Sequence, residues 1–185
     1  MRIPIPSCAR HLLPAALLLL TPACLNMNSW AEMDSEAQSL TLIPAEPHAE
    51  ARLHVVATSR AGKRAKLSYI NLNFDMEQSW RPQETDAPAV QPWYRVRLVD
   101  ERDGHVAAED ILALTEPNKT YLVGLRPELG LEDKEIERFE ATYRLEFDRQ
   151  GPPSEGPIQI GWKAHLNALA DEDDVKDIEL TLATP

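Results

Sequence analysis

Residues 139–147 read Phe-Glu-Ala-Thr-Tyr-Arg-Leu-Glu-Phe. Phe139, Ala141, Tyr143, Leu145 and Phe147 take every second place, with Glu140, Thr142, Arg144 and Glu146 between them. Side chains of an extended chain alternate between two faces, so this run offers one face to a core and the other to water. A helix would scatter the same period-two pattern around its whole circumference.

The pattern recurs at residues 158–167, where Ile158, Ile160, Trp162, Ala164 and Leu166 share one face. Trp162 is in phase with that face and is expected in the core. The loop-forming run Arg-Gln-Gly-Pro-Pro-Ser-Glu-Gly-Pro at 149–157 lies between, so the two strands are expected as neighbours in an antiparallel pair. Further strands are predicted at Leu40–Ile43, Leu53–Ala57, Leu67–Phe74, Tyr94–Leu98, Ile111–Leu114, Tyr121–Leu125 and Ile178–Leu182. In Leu67–Phe74 the phase slips, with Leu67 and Tyr69 opposite Ile70, Leu72 and Phe74. A β-bulge near Tyr69 reconciles them. Only Gly130–Arg138 offers a helical turn, capped by Asp133. About nine strands with turn signals between them predict an all-β fold, an antiparallel β-sandwich of immunoglobulin-like type.

Tyr121-Leu-Val-Gly-Leu-Arg-Pro127 resembles the strand and turn that precede the tyrosine corner of fibronectin type III domains. In that family a Tyr follows the Pro within a few residues, whereas here the next is Tyr143. The resemblance implies a sandwich and no function.

The N-terminus carries an address. Arg2 and Arg10 precede a short apolar run, Leu12–Leu20, and Thr21-Pro22-Ala23 follow before Cys24. Charge, a short apolar core and a small residue make a secretory signal, and the run is shorter than a membrane span. Leu-Thr-Pro-Ala-Cys at 20–24 resembles the lipobox of bacterial lipoproteins, with Ala23 before the cysteine and Thr21 at the usual aliphatic place. The resemblance implies acylation of Cys24. The residue after it is Leu25 and not Asp, which in that family's sorting favours the outer membrane. The expected division is a signal at 1–23, the lipidated Cys24 with a flexible tether to residue 48, and one β-sandwich domain at 49–185.

Cys8 falls inside the signal and no cysteine follows Cys24, so the processed chain has no internal disulfide. The net charge of −11 becomes −13 when the signal takes Arg2 and Arg10 with it. Nucleic acid needs clustered Lys and Arg, so that partner is excluded, and acidity of this kind keeps a protein soluble.

The sequence has no G-x-S-x-G, H-E-x-x-H, P-loop or dinucleotide fingerprint, and no thiol nucleophile beyond Cys24. An enzyme is not expected, nor a cofactor. Asp171, Asp173 and Asp174 gather oxygen ligands suited to Ca²⁺ but lack the spacing of an EF-hand loop, and a solvated acidic loop is the expectation. His54 and His165 fall on polar strand faces and are read as surface residues.

Met76–Pro92 reads as a long Pro-containing loop, with Trp80 inside it and Trp93 at its end. Such loops are often functional and exposed Trp favours binding. Trp80, Arg81 and Trp93 are therefore the candidate ligand-binding residues, with Arg95 and Arg97 as a basic surround. The function expected is a non-enzymatic cell-envelope lipoprotein, held to the membrane through its lipid and binding an envelope protein or glycan. The alternative is a soluble exported carbohydrate- or peptide-binding module using the Trp80–Trp93 loop.

Overall fold

Period-two alternation runs on past the segments that first show it, and the strands are correspondingly long. In the computed structural model, which describes residues 28–82, 90–127, 129, 136–150 and 156–184, ten strands form two antiparallel sheets. They are β1 (Asn28–Asp34), β2 (Gln38–Leu42), β3 (His48–Ser59), β4 (Leu67–Trp80), β5 (Trp93–Asp100), β6 (Val106–Ala113), β7 (Tyr121–Leu125), β8 (Arg138–Gln150), β9 (Ile158–Asp171) and β10 (Ile178–Ala183). One four-residue helix, α1 (Glu172–Val175), separates the last two.

The first sheet has the order β1-β9-β4-β7, with β2 also on β9, and the second β10-β3-β8-β5-β6. The pairings nest: β1 and β2 with β9, β3 with β8, β4 with β7, β5 with β6. This is one long hairpin folded over and rolled into two layers, the order of a jelly roll. An immunoglobulin sandwich divides its strands otherwise, as ABED and CFG, so that part of the expectation is corrected. The expected side-by-side pairing of the 139–147 and 158–167 strands is corrected too. β8 and β9 lie in different sheets. Alternation fixes which residues face inward but not which strand lies alongside.

The core fills the space between the sheets. Phe139, Ala141, Tyr143, Leu145 and Phe147 of β8 are buried, as are Ile158, Ile160, Trp162, Ala164, Leu166, Ala168 and Ala170 of β9. Leu72, Phe74 and Met76 of β4 and Tyr94, Val96 and Leu98 of β5 join them. One polar contact crosses the core: the Tyr94 hydroxyl, from β5, donates to Oε1 of Gln78, from β4. Burial pushes the Tyr94 phenol pKa well up, so it stays a neutral donor. The bulge expected near Tyr69 is present, as a register shift on β9 between Leu67 and Tyr69. It returns Leu67 to the core and leaves Tyr69 outside.

The segment expected as a tether is largely sheet. Of its expected Leu40–Ile43 strand, residues 40–42 are there within β2, and β1 adds a second strand that pairs over its whole length with β9, from Asn28 opposite Asp171 to Asp34 opposite His165. β1 escaped notice because, of its residues, only Ala31 and Met33 pack against the core, half-buried, and the rest of the run looks like linker. The signal and Cys24 lie outside the described residues, as does most of the Gly130–Arg138 turn.

Candidate functional site

The two outer faces of the sandwich differ in how their polar groups are used. On the second sheet, β3, β8 and β5 bring opposite charges into register. Arg95 donates to Asp148 at 3.0 Å, whose other oxygen is 2.7 Å from Nδ1 of His48. Arg97 and Arg144 donate to the two oxygens of Glu146 at 2.6 and 2.8 Å, and Arg52 donates to Glu101 at 3.0 Å. Burial alone would raise the carboxyl of Asp148, but hydrogen bonds from His48 and Arg95 outweigh it and hold its pKa below the usual value. Glu146 behaves the same way, with Arg144 and Arg97 outweighing burial. The Nε atoms of Arg95 and Arg97 are buried without an acceptor among the described residues. This face is committed to itself.

On the first sheet, register sets the outward residues of β1, β9 and β4 in rows: Trp30, Leu169 and Tyr69; Glu32, Asn167 and Asn71; Asp34, His165 and Asn73. The next two rows are Lys163, Asp75 and Gly124, then Ser39, Gly161, Glu77 and Leu122. The amides of Asn71, Asn73 and Asn167 make no side-chain hydrogen bond within the described residues, so they face solvent with donors and acceptors open. One ionic cluster stands among them. Lys163 donates to Asp34 at 2.5 Å, and His165 lies between Asp34 and Asp75 at 2.7 and 3.1 Å. Hydrogen bonds from Lys163 and His165 hold the Asp34 carboxyl below its ordinary pKa.

Two glycines shape this face. Gly161 and Gly124 point outward and neither has a positive φ, so the backbone does not demand glycine at either place. A Cβ on Gly161 would meet the Gln38 carbonyl at 3.8 Å, ordinary contact. What the missing side chains leave is a trough. A hollow of about 740 Å³ is lined by Asp75, Glu77, Leu122, Gly124, Arg126, Gly161, Lys163 and His165. A second, of about 300 Å³, continues past Gly161 along Ser39, Thr41, Ser79 and Gln159. Glycine inside a strand often marks close approach of a ligand or another backbone.

The residues singled out from sequence fare differently. Trp80 is the last residue of β4, 1% exposed, and belongs to the core, which removes it from any ligand site. The inward phase Phe74, Met76, Gln78, Trp80 carries straight through the expected loop; the polar Gln78 hid it. Trp93 opens β5 half-buried and opposite in phase to the buried Tyr94. Arg81 is exposed, and its backbone is pinned beside Gly156, where a Cβ would lie 2.0 Å from the Arg81 carbonyl oxygen. Residues 83–89 lie outside the described set. Arg95 and Arg97 are consumed by the carboxylates of the second sheet and form no open basic patch with Arg81.

Asp171 ends β9, and Asp173 and Asp174 sit in α1, where the helix dipole favours acidic residues in the first turn. An Asp174 oxygen accepts the Lys66 amide at 3.2 Å. Among the described residues no group of three or more His, Cys, Asp or Glu side chains is arranged to hold a metal ion. His54 and His165 are surface residues, as expected, each beside a carboxylate. Sequence reasoning missed Trp30, Tyr69, Asn71, Asn73, Asn167 and Gly161 as members of one face. The outward phase of β4 and β9 was visible in the sequence, and the pairing of β1 was the missing information. No protein-family model and no curated protein matches this sequence.

Proposed function

We propose that the chain is a non-enzymatic cell-envelope lipoprotein, exported by residues 1–23 and anchored at Cys24, whose ligand lies in the Gly161–Gly124 trough of the first sheet. One observation carries the reading of the site: the outer face of the second sheet pairs its carboxylates with its arginines, while that of the first holds a trough at two glycines the backbone does not require, with the open amide of Asn73 in the row beside it. Both ring nitrogens of His165 are already engaged with carboxylate oxygens, of Asp34 and Asp75.

Gly161→Val tests it. Valine suits a strand and finds ordinary contacts at its Cβ, so the melting temperature should hold while the trough fills. On an array of glycans, peptidoglycan fragments and peptides, the unaltered protein should bind a class of ligand that the variant loses. Equal binding by both proteins sinks the site. Intact mass of the envelope-extracted protein beside Cys24→Ser tests the anchor separately.

A further inference from the structure

We infer that the α1 end of the sandwich rests on a lipid bilayer, with Trp30 and Tyr69 as its interfacial contact. The inference builds on the reading of Cys24 as the acylated residue. From Cys24 to Asn28 is four residue steps, a reach of at most about 14 Å however the chain runs. Asn28 is already paired in the sheet, opposite Asp171 at the α1 end of β9. A lipid on Cys24 therefore brings that end, and no other, down to the membrane surface.

The same end presents the aromatic pair. Trp30 lies about 7 Å along β1 from Asn28, two strand steps. It is 47% exposed, Tyr69 is 42% exposed, and their rings meet edge to face with centroids 6.0 Å apart. Exposed rings of this size are costly in water, and Trp and Tyr gain at the lipid headgroup level, where an apolar body and a polar tip are both satisfied. Charge does not provide the attraction. The five cations of the β3–β4 turn and its surround, Arg60, Lys63, Arg64, Lys66 and Lys176, are balanced by five acids, Asp171, Glu172, Asp173, Asp174 and Asp177, with Lys63 3.4 Å from Asp177. Seating should thus be insensitive to anionic lipid. It leaves the Gly161 end of the first sheet, further along β9, clear of the bilayer.

The test is tryptophan quenching by shallow brominated phosphatidylcholine in vesicles. It uses the processed chain, residues 24–185, coupled at Cys24 to a maleimide lipid; Cys24 is then the sole thiol. Chemical coupling makes the result independent of whether the cell acylates Cys24, which intact mass decides separately. The expected result is strong quenching, most of it lost in Trp30→Phe, and unchanged when phosphatidylglycerol is added. Quenching equal in Trp30→Phe would overturn the seat. So would an unquenched Trp30 whose emission instead responds to soluble oligosaccharides, which would assign the pair to a glycan.

Discussion

Replacing Trp80 by alanine separates a core residue from a loop residue by an order of magnitude in equilibrium constant or more. Trp80 is 1% exposed at the end of β4, and its carbonyl accepts the Asn118 amide at 2.8 Å. Removing a buried indole takes away its transfer free energy and leaves a cavity, together about 3–5 kcal/mol. A domain of this size has only about 5–15 kcal/mol in all. At roughly 2–4 °C per kcal/mol, the melting temperature should fall by about 6–20 °C. Trp30→Ala is the matched control: the same chemistry at a half-exposed position should cost under about 1 kcal/mol. Urea unfolding followed by far-ultraviolet circular dichroism measures both without relying on tryptophan emission. A loss below about 1 kcal/mol for Trp80→Ala would refute the placement and restore the loop reading.

Two further outcomes follow from the same packing. A chain beginning at Ser35 should melt well below one beginning at Cys24, because β1 completes the edge of β9; removal of a tether would leave the melting temperature unmoved. Asp148 and Glu146 have folded pKa values below their unfolded ones, so the stability they contribute is present above the ordinary carboxylate range and is lost as pH falls through their lowered values. Unfolding measured from pH 6 downward, near and below about 4, should show this acid limb, and Glu146→Gln with Asp148→Asn should flatten it.

How much of this was legible beforehand depends on the range of the interaction involved. Alternation in β8 and β9 identified both sheets' inward residues, Trp162 among them, and the phase slip at Tyr69 located the bulge, because both are local. Strand order was not local. β3 and β8 pair with His48 opposite Asp148, a separation no short-range pattern records. The nested pairing, and with it the jelly-roll order, stayed hidden. The same limit concealed the candidate site, since Gly161 and Gly124 come together only when β9 and β7 both flank β4. Trp80 was misplaced for a different reason: one buried glutamine, satisfied across the core by Tyr94, interrupted an apolar phase that the strand continued. A buried polar residue with a partner reads as a loop until the partner is known.

The central claim is that the outer face of the first sheet is the working surface. Hydroxyl-radical footprinting of the protein in isolated envelope membranes, set against the purified protein, tests it without knowledge of the ligand. The account predicts protection at Trp30, Tyr69 and Leu122 on the first sheet, with the exposed Ile111 of the second unchanged. Protection at Ile111 with none on the first sheet would contradict it.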